Sequence, residues 1–199
     1  MATTETQICN LALSRIGASR ILAIDSSSVE SRACLLHYEV VRDEVLRAHR
    51  WNFAIKRETL TALATDPSFG WEKQYQLPSD YLRMLQLNGW EAGEDPSRWE
   101  IEGRLLLTDQ TEVEVKYIYR NTDASQYDPI FVQALACKLA AALAKEISGS
   151  STISQEQLQE YERVIGPIAR RIDGHESRPK VKLPWVESEL VKARHSGGI

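Results

Sequence analysis

Four histidines, His37, His49, His175 and His195, are the first residues whose side chains could do chemistry. None stands at a metal-ligand spacing such as the i, i+4 pair of H-E-x-x-H. His37 and His49 are twelve residues apart. On one helix that leaves them about a third of a turn out of register, so they read as surface residues. Cys9, Cys34 and Cys137 form an odd set without C-x-x-C spacing, each in an apolar helical context. That pattern predicts reduced, buried thiols in a reducing compartment. No serine lies in G-x-S-x-G, and neither G-x-x-x-x-G-K-[ST] nor G-x-G-x-x-G occurs. Asp43 and Glu44 sit beside Arg42 and Arg47, which predicts helix salt links rather than an acid–base pair. Trp71, Tyr75, Tyr81, Trp99, Tyr117 and Tyr119 could stack nucleobases, but without a basic bias sheet packing is the better reading. The residues predict no catalytic site, no cofactor and no metal.

Composition narrows the classes further. A chain of 199 residues is one large domain or a core with one inserted lobe, able to bury about 70% of its unfolded surface without a disulfide or metal staple. A net charge of −4 and a pI near 5.7 argue against nucleic-acid binding through a generally basic surface and leave a local patch open. The polar start MATTETQ predicts no signal peptide. The longest apolar run, 134–144, is interrupted by Lys138 and is too short to span a bilayer.

Residues 42–57, RDEVLRAHRWNFAIKR, organise the chain. They end an amphipathic helix, turn at His49-Arg50-Trp51, and leave as an alternating run with Phe53 and Ile55 on one side. The switch of apolar period from 3.6 to 2 marks helix handing over to strand. The pattern is helical before this point, strand-like for seventy residues after it, and helical again from Asp128. The predicted class is α+β, with about four helices in a bundle, an inserted antiparallel β lobe and an extended C-terminal arm. The first half of the bundle is 1–50, the lobe 51–126, the second half 127–173 and the arm 174–199.

Local signals place the elements. Capping boxes are expected at Thr4–Gln7, Ser27–Glu30 and Ser154–Gln157. Gly17 is placed to stop a short first helix that must dock on something to persist. The second helix, running to about His49, carries two apolar stripes: Val29, Ala33, Leu36 and Val40, and Cys34, Tyr38, Val41 and Val45. Such a helix is wedged between two surfaces, either both within the chain or one on a neighbouring subunit. Runs at 71–77, 81–87, 99–102, 104–108 and 112–120, with a tight turn at Asn88-Gly89, predict one half-buried sheet of four to six strands. Asp128-Pro129 opens a helix that is apolar nearly all round and carries six alanines over 134–144, the central helix of the fold. Leu158, Tyr161, Ile165, Ile168 and Ile172 stripe a last helix that Pro167 is expected to kink. The arm carries five Lys/Arg and three Asp/Glu, a net of +2 against −6 for the rest. With Pro179, Pro184 and a lone Trp185 it reads as a segment that orders on a partner, or as a frayed terminus.

The strings ICNLALSRIGA (8–18), RDEVLRAHRWNFAIKR (42–57), YQLPSDYLRML (75–85), EGRLLLTD (102–109) and YDPIFVQALACKLAAALA (127–144) resemble the head-to-tail adaptor proteins of tailed phages, the tail tubular protein A type of connector. Together they cover most of 8–175; family members often carry Pro where Arg50 stands. The resemblance implies a structural virion protein and no enzyme. It would be assembled in the host cytoplasm into a ring, usually of twelve subunits, between the portal protein and the tail nozzle or fibres. Genomic DNA would pass through the ring without specific binding, and no membrane is involved. It also implies that the arm clasps the portal, through Leu183, Trp185, Val186 and Leu190, and that Cys34, Tyr38, Val41 and Val45 face a neighbouring subunit. Trp51 and Phe53 are then expected to lock helices to sheet. The acidic body suits a channel wall that repels phosphate. The rival readings are a nucleic-acid-binding module that uses the aromatic strands and a small soluble enzyme.

Overall fold

A computed structural model describes residues 3–95, 97–168 and 171. Its first helix starts where the sequence can satisfy a helix end by itself. Thr4 Oγ1 accepts from the Gln7 amide at 3.2 Å and Gln7 Oε1 accepts from the Thr4 amide at 3.0 Å, opening α1 (Glu5–Arg15). Gly17, at φ 71°, lets the chain leave. Asn10 then ties down the connector: its Oδ1 accepts from the Ile21 amide at 2.8 Å and its Nδ2 donates to the Ile21 carbonyl at 2.9 Å.

The second helix, α2 (Val29–Ala48), is capped by Ser28, one residue later than the expected box. Ser28 Oγ accepts from the Ser31 amide at 3.1 Å, while the buried Ser31 hydroxyl donates to the Ala23 carbonyl at 3.0 Å and so fixes the register. Asp128 caps α3 (Pro129–Leu143) as expected, accepting from the Ile130 amide at 2.7 Å. For α4 (Ser151–Glu160) the cap is Ser150, not Ser154. Ser154 lies a turn inside the helix, where its hydroxyl donates to the Ala141 carbonyl of α3 at 2.8 Å; a tertiary bond has taken the group that the local signature assigned to a cap. The distortion expected at Pro167 takes the form of a widened π turn over Tyr161–Ile165, where the Gly166 amide reaches the Tyr161 carbonyl. This relieves the clash that a proline ring makes with the carbonyl four residues back.

Trp51 is followed by a 3₁₀ turn (Asn52–Ala54) rather than by strand from Phe53 onward. The strands are β1 (Ile55–Leu60), β2 (Lys73–Gln76), β3 (Tyr81–Leu87), β4 (Trp90–Glu91), β5 (Glu100–Glu102), β6 (Leu105–Thr108) and β7 (Val113–Tyr119). They form two antiparallel sheets, β1-β7-β3-β4 and β2-β6-β5, not the single sheet the alternation suggested. Asn88 (φ 47°) and Gly89 (φ 86°) make the positive-φ two-residue turn between β3 and β4. One face of the larger sheet sends Met84, Leu87, Val113, Val115 and Tyr117 against Tyr75, Leu77 and Leu106 of the smaller sheet and its flanks. The other face sends Leu82, Leu85 and Ile118 against the helices. Two register shifts in β3 let that strand serve both.

The class is therefore α+β, with four α-helices and two antiparallel sheets among the described residues. At the centre α3 contacts α1, α2 and α4. Ten of its fifteen residues are buried, so it has no solvent face to speak of. Phe131 is fully buried in an aromatic group with Trp51, Phe53 and Tyr127, ring centroids 4.7–5.1 Å from its own and interplanar angles of 69–82°. Phe131→Ala is expected to cost about 3–5 kcal/mol of unfolding free energy in urea. Leu22→Ala, at a side chain 99% exposed, is expected to stay within about 0.5 kcal/mol of the parent.

Candidate interaction surface

The long helix α2 carries both apolar stripes, and the structure settles which one turns inward. Cys34, Tyr38, Val41 and Val45 are all buried in the core of this one chain, with Leu46 beside them. They cannot also face a neighbouring subunit, and the expectation that they form a subunit interface is corrected. The reason is the position of α3: its largely apolar surface needs cover along its length, and this stripe supplies part of it. In the other stripe only Ala33 is buried. Val29, Leu36 and Val40 are 59%, 67% and 69% exposed. At 100° per residue they fall within about 40° of one another on the side of α2 opposite the core stripe. A row of three aliphatic side chains thus runs along the outward face of a helix whose inward face is already complete.

Several contacts hold that helix at a fixed rotation. Asp43 accepts from Arg42 at 2.9 Å and from Arg120, at the end of β7, at 2.6 Å. Glu44 accepts from Lys138 of α3 at 2.6 Å. The expected partner Arg47 is engaged elsewhere, donating to the Leu82 carbonyl of β3. The acidic pair thus links α2 to β7 and to α3, a positioning role rather than acid–base chemistry. Trp51 Nε1 donates to the Val45 carbonyl at 2.9 Å, satisfying an acceptor near the helix end. Trp51 and Phe53 both pack against α3. Elsewhere in the helical layer Arg15 donates to Gln133 (3.1 Å), Gln157 (3.3 Å) and Glu160 (3.0 Å), clamping α1 to α3 and α4.

The other candidates for chemistry resolve as packing. His37 Nε2 lies 3.1 Å from Glu146 on the surface, and His49 packs edge-on against Trp51 at 4.9 Å. Tyr75 and Tyr117 are fully buried between the sheets, so the six aromatics make no open platform. Burial pushes the phenols of Tyr38 and Tyr117 well above the ordinary range. All three cysteines are free and buried. Cys9 and Cys34 meet across α1 and α2, and the hydrogen bond between them raises the Cys9 pKa, burial adding to it, and lowers that of Cys34. Among the described residues no group of three or more His, Cys, Asp or Glu could hold a metal ion, and no helix is long and apolar enough to cross a membrane. The arm residues Leu183, Trp185, Val186 and Leu190 lie outside the described residues.

The thiols give a direct check on the inward stripe. With Cys9, Cys34 and Cys137 all enclosed, an aromatic disulfide reagent is expected to label none of them at a measurable rate in native buffer and all of them in denaturant. Prompt labelling of Cys34 in the native protein would place its stripe outside the core. Among known proteins, no protein-family model and no curated protein matches this chain.

Proposed function

We propose that the chain is a structural assembly subunit, a head-to-tail adaptor of tailed-phage type. In this reading the helices form the bundle and the sheets its inserted lobe. About twelve copies ring the channel between the portal and the tail nozzle or fibres, and genomic DNA passes through. The observation that carries the proposal is the outward stripe of Val29, Leu36 and Val40, an apolar row that the chain's own core does not use. Burying a Val or Leu side chain is worth about 1.5–3 kcal/mol, so the three, already about one-third covered, offer on the order of 3–6 kcal/mol to each contact with a neighbour. That is weak for one pair and sufficient when every subunit of a closed ring makes the contact twice. The stripe replaces the Cys34–Val45 set as the proposed subunit interface. The arm, positive and proline-broken in sequence, is proposed to seat Leu183, Trp185, Val186 and Leu190 on the portal.

Native mass of the purified protein, alone and after mixing with the portal, tests this reading. The expected result is a small species alone and a ring on the portal. Leu36→Asp with Val40→Asp is expected to abolish ring formation with the unfolding midpoint unchanged, because both side chains are exposed in the single chain. A fixed dimer or tetramer indifferent to portal would overturn the adaptor reading. Trp185→Ala is expected to lower occupancy on the portal at least tenfold while the circular dichroism spectrum and melting curve stay those of the parent; loss of the fold would remove the arm from this role.

A further inference from the structure

The face of the larger sheet that meets the helices at one end is open at the other, and the open end is cationic. Ile55 of β1 pairs with Ile118 of β7 at the covered end. Two residues along, on the same face, Arg57 pairs with Lys116; two further, Thr59 pairs with Glu114. On the far side of β7, Gln86 of β3 pairs with Lys116. Like charges directly opposite on neighbouring strands destabilise a sheet, and among the described residues neither Arg57 nor Lys116 has a carboxylate at ion-pair distance. Arg50, from the turn after α2, and Arg83 and Arg47 complete the group. Lys116 is held below its ordinary range by burial and then by the Arg50 and Arg57 charges. Arg83 is lowered by burial and then by Arg47 and Arg50. Two carboxylates share the face: Glu91, 3.4 Å from Arg50, and the exposed Glu114.

Part of this cluster has a local cause. Arg47 donates to the Leu82 carbonyl and Arg83 to the Ala48 carbonyl at 3.5 Å, so the negative end of the α2 dipole accounts for gathering those two. It does not account for Arg57 opposite Lys116. These line a hollow of about 370 Å³ together with Thr59, Gln86 and Gly89, with the Glu58 and Glu114 carboxylates and Val115 at its walls, so the cations share it with acceptors.

We infer that this face is a contact surface for the phosphate backbone of nucleic acid. Guanidinium forks match phosphate oxygens in pairs. Three adjacent strands, β1, β7 and β3, span about 10 Å, room for about three phosphates of one strand at roughly 3.4 Å axial rise. The contacts inferred are to phosphate, which carries no sequence information directly, so binding is expected to be indifferent to sequence. The patch is confined to five cations on a chain of net charge −4, so the contact is weak and salt-dependent. The inference does not depend on the adaptor reading.

Fluorescence anisotropy of a labelled mixed-sequence duplex of roughly 20 base pairs, titrated with the full chain between about 50 and 200 mM salt, tests it. Binding is expected, with a log K against log salt slope of about −2 to −3. Arg57→Glu, at an exposed strand position, is expected to reduce the slope by about 1, and Arg57→Glu with Lys116→Gln to weaken binding at least tenfold at the lowest salt. Lys145→Glu, exposed on the π turn after α3, is expected to change the slope by well under 1. Absence of binding at the lowest salt would overturn the inference. So would binding that Arg57→Glu leaves unchanged, which would place it on the C-terminal arm. Equal displacement by inorganic phosphate at matched phosphate concentration would reduce the face to a single-anion site and overturn the nucleic-acid assignment.

Discussion

A helix that is apolar nearly all round has little surface to offer water, and α3 imposes that constraint on the rest of the chain. Phe131, Leu135, Leu139 and Leu143 follow at four-residue steps, with alanines filling the remaining sides. Each large side chain is worth about 1.5–3 kcal/mol when buried, and the alanines let neighbouring backbones approach closely. Three helices must therefore surround it. α1, of eleven residues, is too short to persist alone; it exists because α3 offers it a dry surface and because Arg15 spans to α3 and α4. The inward stripe of α2 has the same cause. Once Cys34, Tyr38, Val41 and Val45 are committed to α3, the rotation of α2 is fixed and its other stripe has to point outward.

The junction at Trp51 transmits this arrangement to the sheets. Its indole satisfies the Val45 carbonyl while its ring meets Phe131, so the end of α2 and the start of β1 are held against the same side chain. β1 then delivers Ile55 to the helical core, and β7 divides its residues between layers: Ile118 toward the helices, Val113, Val115 and Tyr117 toward the smaller sheet. The larger sheet is a middle layer. Because the helices reach only the Ile55–Ile118 end of its face, the next residues along, Arg57 and Lys116, are left on an uncovered continuation of a surface that is core at its other end.

What could be read from the sequence was whatever is decided within a few residues. The Thr4–Gln7 box, the Asp128-Pro129 start and the Asn88-Gly89 turn stand as expected, since each is a local bond or a local φ. The box at Ser154 falls inside α4 because a tertiary bond to Ala141 takes its hydroxyl, and the Ser27 box is off by one because the adjacent Ser28 offers the same capping chemistry to the Ser31 amide. Periodicity found both stripes of α2 but could not rank them. Each is aliphatic, and the choice between them belongs to α3, a hundred residues away. The division into two sheets was hidden for the same reason: β2 pairs with β6 and β1 with β7, and alternation says which residues share a face, not which strands meet. The cationic face was invisible because Arg47, Arg50, Arg57, Arg83 and Lys116 are scattered along a chain whose total charge is negative. The one available hint was Arg57, two residues from the core-facing Ile55 in the same alternating run.

Both outward surfaces break a local rule, and they break it in different currencies. Val29 and Val40 are β-branched residues on a solvent-facing helix side, where propensity favours Ala, Glu or Lys by up to about 0.7 kcal/mol each. Arg57 and Lys116 oppose like charges where a Glu–Lys pair would add stability. Sequences that fold uniquely are consistent across levels except where something outside the fold is being served. Neither exception improves the core, since α2 is closed by its other stripe and the sheet by Ile55 and Ile118. The aliphatic row can recover its cost only against another dry surface, an interaction that salt leaves intact. The cationic pair can recover its cost only against negative charge, an interaction that salt screens over a Debye length of about 10 Å at 0.1 M. If the two surfaces serve as proposed, their partners differ in chemistry, and changing ionic strength would separate their contributions without altering a residue.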